Sequence, residues 1–344
     1  MSKKMRAAVI GCGAISERLH VPDYAVCPEA EIVALCDADT KRAKALAHQW
    51  APNAQVFADY KKMLKEVKPD CVTITLPNFL HAKATIDSLK AGAHVLVEKP
   101  MATSIAECKR MVDAAKKAKK LLMVNQSQRR FPAHVKAKEI LESGLLGKIL
   151  HVTAMFGHAG PENWSPTGKW FFDKKRSRFG AMADLGVHKA DLVRFLTGKE
   201  ITEIAGFTAC LEKKGSSVED NFVSAIKFKD GTVGTLCASW TIKGMDANYT
   251  IFHCANGTLR VGEIPGKPLV AKLHHPECEI DFDPAPTPND YPGNWGLDVS
   301  GGFVRAAMKK EKPFCTGVEG MKSLEVIFAA EKSAETGRAV KTKH

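Results

Sequence analysis

Short apolar runs alternate with longer amphipathic stretches over the first third of the chain, the signature of βαβ units whose parallel sheet is covered on both faces. Arg6 to Ile10, Ile32 to Cys36, Asp70 to Leu76, His94 to Val97 and Leu121 to Val124 read as its strands. Ser104-Ile-Ala-Glu107 is a capping box that opens a helix running to about Lys119. After residue 126 the texture changes. A helix from about Ala133 to Ser143 precedes an alternating strand, Ile149 to Phe156, and then Gly157 to Ala181 is irregular, with two tryptophans and several basic residues. The helix Asp184 to Leu196 ends at Gly198, placed as a C-cap. From Ile201 to Val261 polar and apolar residues alternate, and Asp230-Gly231 and Asn256-Gly257 mark two hairpins. Pro265 to Gly296, rich in proline and acid, reads as loop, and helices from about Asp298 to Lys310 and Gly320 to Thr336 finish the chain.

The expected architecture is therefore α/β. A doubly wound parallel sheet occupies residues 1–125, and an α+β domain built on a large, mainly antiparallel sheet occupies 126–344. Such a sheet carries helices on one face, and its open face is solvated or buried against a second copy, giving a homodimer or homotetramer.

Composition narrows the class. With 344 residues, 45% hydrophobic and 26% charged, the chain has the balance of a globular protein of two domains. No run approaches the length of a membrane span, and the first residues lack a signal peptide's apolar core, so the expectation is a cytoplasmic protein without a membrane partner. The ten cysteines form no CxxC pair, and several lie in strand-like runs such as Val33 to Asp37, as buried free thiols do; neither disulfides nor a metal site is expected. The formal charge of +12 is spread over helix surfaces without interleaved aromatics, which argues against nucleic acid.

The chemistry gathers at two places. Gly11-Cys-Gly-Ala-Ile-Ser16 follows the first strand and matches two of the three glycines of a dinucleotide turn, with Ser16 at the third. Gly11 permits the tight turn, Gly13 lets backbone approach a pyrophosphate, and Ala14 and Ile15 open the helix whose N-terminus stabilises that charge. Asp37 ends the second strand, where its carboxylate accepts from ribose hydroxyls and repels a 2′-phosphate, so NAD is favoured over NADP. Pro77, Asn78 and His81 fall on a loop beside the cofactor. Glu98, Lys99 and Pro100 stand at the carboxyl end of the His94 to Val97 strand, and Asn125 ends the last strand, both at the edge where ligands of open α/β sheets bind.

Asp184, His188 and Asp191 recur at i, i+4 and i+7, which places them on one helix face, and Asp191 is the one expected to be structural. Oxidation of a carbinol needs a base for the hydroxyl proton and a cation for the developing alkoxide. An unperturbed lysine near ~10.4 is almost wholly charged at pH 7, whereas a histidine near ~6.5 is mostly neutral. His188 is thus the expected base, Lys99 the alkoxide stabiliser and proton relay, and Asp184 the group that binds a hydroxyl or orients the imidazole. Trp164 and Arg129, with Arg130, are further candidates on the substrate side.

Together Gly11-Cys-Gly-Ala-Ile-Ser16, Glu98-Lys-Pro100 and Asp184-Leu-Gly-Val-His188 resemble, in order and spacing, the glucose-fructose oxidoreductase, inositol dehydrogenase and rhizopine-catabolism (Gfo/Idh/MocA) family. The resemblance spans nearly the whole chain. It implies a Rossmann domain with an open-faced sheet domain and an NAD-dependent dehydrogenase acting on a sugar, sugar derivative or cyclitol, with Lys99, Asp184 and His188 as the matching catalytic positions. Arg178-Phe-Gly-Ala181 stands where relatives often carry a run of glycines, which predicts a bulkier, more cationic wall. Two alternatives are an NAD-dependent glycosidase working by oxidation and elimination, and a non-catalytic dinucleotide-binding regulator.

Overall fold

The computed structural model describes residues 4–165, 168–282 and 296–343, and these divide into two compact units. In the first, strands β1 (Met5–Ile10), β2 (Ala30–Cys36), β3 (Gln55–Phe57), β4 (Cys71–Ile74), β5 (His94–Val97) and β6 (Leu122–Val124) form a sheet in the order β3-β2-β1-β4-β5-β6. Every pairing in it is parallel. Parallel strands are covered on both faces, which is why Ala7, Ala8 and Val9 of β1 and Val95, Leu96 and Val97 of β5 are all fully buried. Strand order reverses beside β1, where Ile10 lies level with Cys36 on one side and Ile74 on the other. That register brings Gly11, Asp37 and Thr75 together at the carboxyl edge of the sheet. The Ser104 cap forms, its Oγ accepting the Glu107 N–H at 3.2 Å, while the Glu107 carboxylate accepts from Thr103, one residue before the N-cap.

The first unit does not end at residue 125. It runs to Arg130 and takes back residues 296–321, including the helix Val299–Ala307. The bonds that hold this return are long-range, and so carry no local signal. Asp23 accepts the backbone N–H groups of Val299 (2.6 Å) and Ser300 (3.1 Å), and Arg130 pairs with Asp298 (3.0 Å) and Glu311 (3.1 Å).

The second unit holds β7 (Ile149–Gly157), β8 (Ile201–Ala209), β9 (Asn221–Phe228), β10 (Val233–Ser239), β11 (Ala247–Cys254), β12 (Gly257–Ile264), β13 (Lys267–Leu273), β14 (Cys278–Phe282) and β15 (Val340–Lys341). Their order is β14-β13-β12-β11-β7-β10-β9-β8-β15, antiparallel throughout except for the β7–β10 pair. Period-two burial separates the faces: Phe222, Ser224 and Ile226 of β9 are buried while Val223, Ala225 and Lys227 are exposed. Helices Pro132–Glu142 and Val187–Thr197 pack on the covered side.

The stretch Pro265 to Gly296, expected to be loop throughout, is in part a strand pair. Its first part is the antiparallel pair β13–β14, in which Leu269, Val270 and Ala271 are buried and Lys267 meets Asp281 at 2.7 Å across the strands. Acidic residues that suggested a solvated loop are the cross-strand partners of lysines. Residues 283–295 of that stretch lie outside the described residues. All ten cysteines are free thiols, and no helix among the described residues is long and apolar enough to cross a membrane.

Candidate functional site

At the carboxyl edge of the first sheet the turn after β1 is set by glycine and by a serine. Gly11 has φ +99°, and a Cβ there would lie 2.7 Å from the Thr75 carbonyl oxygen. Ser16 Oγ bonds the Gly11 carbonyl oxygen at 2.7 Å and lies 2.6 Å from Thr75 Oγ1, so the residue that replaces the third glycine ties the turn to β4. Around Gly13, by contrast, nothing lies within 4 Å of an added Cβ, which is the open approach a pyrophosphate needs. Asp37 faces this turn. Its Oδ2 accepts the Cys12 N–H at 2.7 Å and its Oδ1 the Asp39 N–H at 2.8 Å, so the carboxylate stands beside the glycines as the dinucleotide pattern requires.

Glu98 and Lys99 leave the end of β5 together, and the Lys99–Pro100 peptide is cis. The Glu98 carboxylate is nearly buried. Its Oε1 receives His20 Nε2 at 2.8 Å and Asn125 Nδ2 at 2.6 Å, and its Oε2 the Lys99 N–H at 3.1 Å. Burial pushes its pKa up, but the hydrogen bond and charge of His20, the Lys99 ammonium and the Asn125 amide outweigh burial and hold it at about 2. His20 Nδ1 continues the chain to Ser300 Oγ at 3.0 Å, so the returning helix supports the strand end that presents Lys99.

Asn125 Oδ1 is buried with no hydrogen-bond partner, an acceptor that suits the amide N–H of a carboxamide. The open turn at Gly13, the Asp37 carboxylate and this acceptor together fit a nicotinamide dinucleotide. Two other expected cofactor contacts are buried in the loops beside this edge. His81 is buried between the Leu76 (2.6 Å) and Pro100 (2.9 Å) carbonyl oxygens, tying the loops after β4 and β5, and burial lowers its pKa. Asn78 begins the helix Asn78–Lys90 behind Pro77 and is itself buried. On the substrate side, Arg129 is engaged by Glu319 Oε1 and the Phe314 carbonyl oxygen, both at 2.8 Å, so its charge has a partner within the fold.

In the second unit Asp184 lies on a π-helical turn, Met182–Gly186, that runs into the helix Val187–Thr197 carrying His188. A π turn closes i→i+5 bonds, so it widens the helix where a regular one was expected; such bulges are frequent at functional sites. Glu219 Oε1 accepts the N–H groups of Gly180 (2.8 Å) and Met182 (2.9 Å) and fixes the start of the turn. Burial raises the Glu219 pKa to about 7, against the lowering by those two bonds. Asp184 and His188 are both buried, at 6% and 7% exposure, and ionisable groups at such depth persist only when partnered or used. Asp191 takes a structural role: its Oδ1 accepts the Ser323 hydroxyl at 2.8 Å.

Three residues around this turn carried no sequence signal. Trp240, just beyond β10, donates its indole N–H to Asp184 Oδ2 at 3.0 Å. His158, just past β7, places Nε2 3.7 Å from the same oxygen, and its Nδ1 accepts the Gly160 N–H at 2.9 Å, which puts the proton of the neutral ring on Nε2. Phe156 spaces the rings of His158 (6.2 Å) and His188 (5.9 Å). Trp164 packs edge-on against Phe171, which stacks on Trp170, so the irregular segment owes its order to aromatic contacts. Arg178 pairs with Glu331 at 2.6 Å and lies over the rings of Phe179 and Phe328.

Residues 5–126 match the family described as oxidoreductase family, NAD-binding Rossmann fold (GFO_IDH_MocA), and residues 134–260 match the GFO/IDH/MocA C-terminal domain. The chain is 30% identical over 256 residues to D-glucoside 3-dehydrogenase of Escherichia coli strain K12, covering 70% of this chain and 72% of that protein. It is 24% identical to myo-inositol 2-dehydrogenase of Thermotoga maritima over 98% of each chain. Among solved structures, the WlbA dehydrogenase from Bordetella pertussis, in complex with NADH and UDP-GlcNAcA, superposes with a TM-score of 0.86 at 24% identity, over 100% of this chain and 99% of that one.

Proposed function

The chain belongs to the GFO/IDH/MocA oxidoreductase family, with an NAD-binding Rossmann domain, and from that premise we propose that it interconverts a secondary hydroxyl and a ketone on a sugar, sugar derivative or cyclitol, the nicotinamide exchanging the hydride. The observation that carries this reading is the carboxylate and imidazole of Asp184 and His188, both buried on a π turn and the helix it opens, in a chain whose other unit holds a dinucleotide turn. The relatives support the substrate class, since those named act on a glucoside and an inositol.

Each residue has one task in this proposal. His188 takes the hydroxyl proton, as a neutral imidazole does near pH 7. Lys99 holds the oxygen as negative charge develops on it and relays the proton. Asp184 accepts a substrate hydroxyl or orients the imidazole. Gly11, Gly13, Ala14 and Ile15 bind the pyrophosphate, Asp37 the adenosine ribose, and Asn125 the carboxamide. The Asp37 carboxylate repels a 2′-phosphate, so NAD is the preferred cofactor.

Self-association through the open sheet face belongs to the same proposal. Phe207 is 78% and Val223 56% exposed, they are register partners on neighbouring strands, and Val233 on the next strand is 48% exposed. A second copy seated there would remove this apolar surface from water.

The test is a panel of methyl glucosides, aldoses and inositols assayed with NAD and NADP separately, following NADH and ketone. Equimolar NADH and ketone from at least one polyol is the expected result. Glycoside cleavage without net NADH would favour the oxidation–elimination alternative, and NAD binding with no turnover across the panel would favour a regulator. His188→Ala should lower turnover at least ~100-fold, and the residual rate should lack the acidic limb of the pH–rate profile.

A further inference from the structure

Trp240 is the largest side chain in the second unit with no exposed surface. It lies just beyond β10, where its backbone N–H bonds the Asp220 carbonyl oxygen at 2.8 Å. Asp220 in turn accepts the N–H groups of Leu211, Glu212 and Lys213, so the Trp240 backbone is fixed by a bonded loop. Phe172, from the irregular segment, sets its ring edge-on at 5.6 Å. An indole held this firmly has one polar atom, the Nε1–H, and that proton goes to Asp184 Oδ2 at 3.0 Å.

The geometry points to Trp240 as a positioning residue for Asp184. Its N–H anchors Oδ2, so the carboxylate keeps one rotamer and meets a substrate hydroxyl in one orientation. A carboxylate that must first be oriented loses part of its effect as a partner in the reacting complex. The bond is charge-assisted and fully desolvated on the indole side, the setting in which a single donor matters most. A buried tryptophan used only for packing needs no more than a backbone carbonyl for its N–H, whereas this one is directed at a carboxylate of the candidate site. The inference rests on the reading of Asp184 as a substrate-side group.

Two measurements test it. In the first, position 240 carries benzothienylalanine, which keeps the ring system and replaces the N–H by sulfur. With methyl β-D-glucopyranoside and NAD, kcat/KM should fall about 10- to 100-fold, as expected for a lost bond to a charged group. The same change in an Asp184→Ala background, where no side-chain acceptor is left, should cost less than about threefold, because both substitutions then remove one interaction. A loss under about threefold in the native background, or an equal loss in both, overturns the proposal. Trp240→Phe provides the same comparison with natural residues.

The second measurement needs no turnover. In ¹⁵N-tryptophan-labelled protein, the indole signal missing from the Trp240→Phe spectrum should exchange slowly with deuterium and shift on Asp184→Asn. Rapid exchange, or no shift, overturns the proposal. If the wild type oxidises neither the glucoside nor any other polyol of the panel, that result counts against the sugar reading, and the indole signal alone decides whether Trp240 holds Asp184.

Discussion

Lys189 follows His188 in the helix Val187–Thr197 and has no exposed surface. Its Nζ lies 3.2 Å from Thr250 Oγ1 of β11 and 5.9 Å from the centre of the Phe156 ring, and among the described residues it has no carboxylate within ion-pair distance. Burial lowers its pKa from 10.5 to about 7. The unfolded chain therefore holds a proton between pH 7 and 10.5 that the folded chain lacks, so stability rises with pH across that window, by about 1.4 kcal/mol per unit. Below pH 7 both states are protonated and the full cost is present. The difference of 3.5 units corresponds to about 5 kcal/mol. Lys189→Met keeps the chain length, removes the ammonium, and leaves Thr250 without that partner at a cost of about 1–3 kcal/mol. At pH 6 the variant should be more stable than the wild type by roughly 2–4 kcal/mol, and near pH 10 it should be equal or weaker. Urea unfolding followed by tryptophan fluorescence at several pH values reads the difference, since Trp164, Trp170 and Trp240 all lie in the second unit. Equal stability at pH 6, or parallel pH dependence in the two proteins, would refute a buried ammonium as the cause.

Three further outcomes follow from the same reasoning. Asp37→Ala should raise the KM for NAD about 10- to 100-fold and leave that for NADP much less affected, through lost ribose bonds and lost repulsion of a 2′-phosphate; an unchanged ratio of the two would exclude this role. Glu98 has a folded pKa of about 2 against an ordinary 4.5, so it contributes about 3 kcal/mol above pH 4.5 that is lost as pH falls toward 2, and Glu98→Gln should flatten that part of an acid-unfolding curve. Glu219 has the opposite sign. Its folded pKa of about 7 means that the folded state holds the extra proton between pH 4.5 and 7, so stability declines as pH rises through that range. Glu219→Gln keeps an acceptor for Gly180 and Met182, and should remove the decline while retaining activity.

Where bonds are local, the chain announces its structure. The strands β1, β2, β4, β5 and β6 stand out because a sheet buried on both faces needs uninterrupted apolar runs. The Ser104–Glu107 box and Gly198, at φ +65°, mark helix ends because capping is a matter of adjacent residues. The hairpin turns at Asp230-Gly231 and Asn256-Gly257 lead into β9–β10 and β11–β12 for the same reason. Strand β3, three residues long, gives too short a pattern to see, and β13 was hidden by its own lysines and proline. Nor does any local pattern say that β10 pairs in parallel with β7, or that residues 296–321 rejoin the first unit.

The candidate site divides along the same line. Gly11, Asp37, Lys99, Asp184 and His188 are legible because each sits at a strand end or on a helix face that the sequence itself delimits. The groups that orient them are distant in sequence: His20 and Ser300 behind Glu98, and Trp240, His158 and Glu219 around the Asp184 turn. A polar group taken out of water must find a donor or acceptor wherever the fold supplies one, so the partners of a buried carboxylate are chosen by topology and not by spacing. The π turn is the clearest case. Regular spacing puts Asp184, His188 and Asp191 on one face of one helix, yet the wider turn at Met182–Gly186 lets Asp184 reach Trp240 while Asp191 bonds Ser323. The two carboxylates thus take different partners, an indole and a serine, through a backbone feature that an i, i+4, i+7 pattern does not encode.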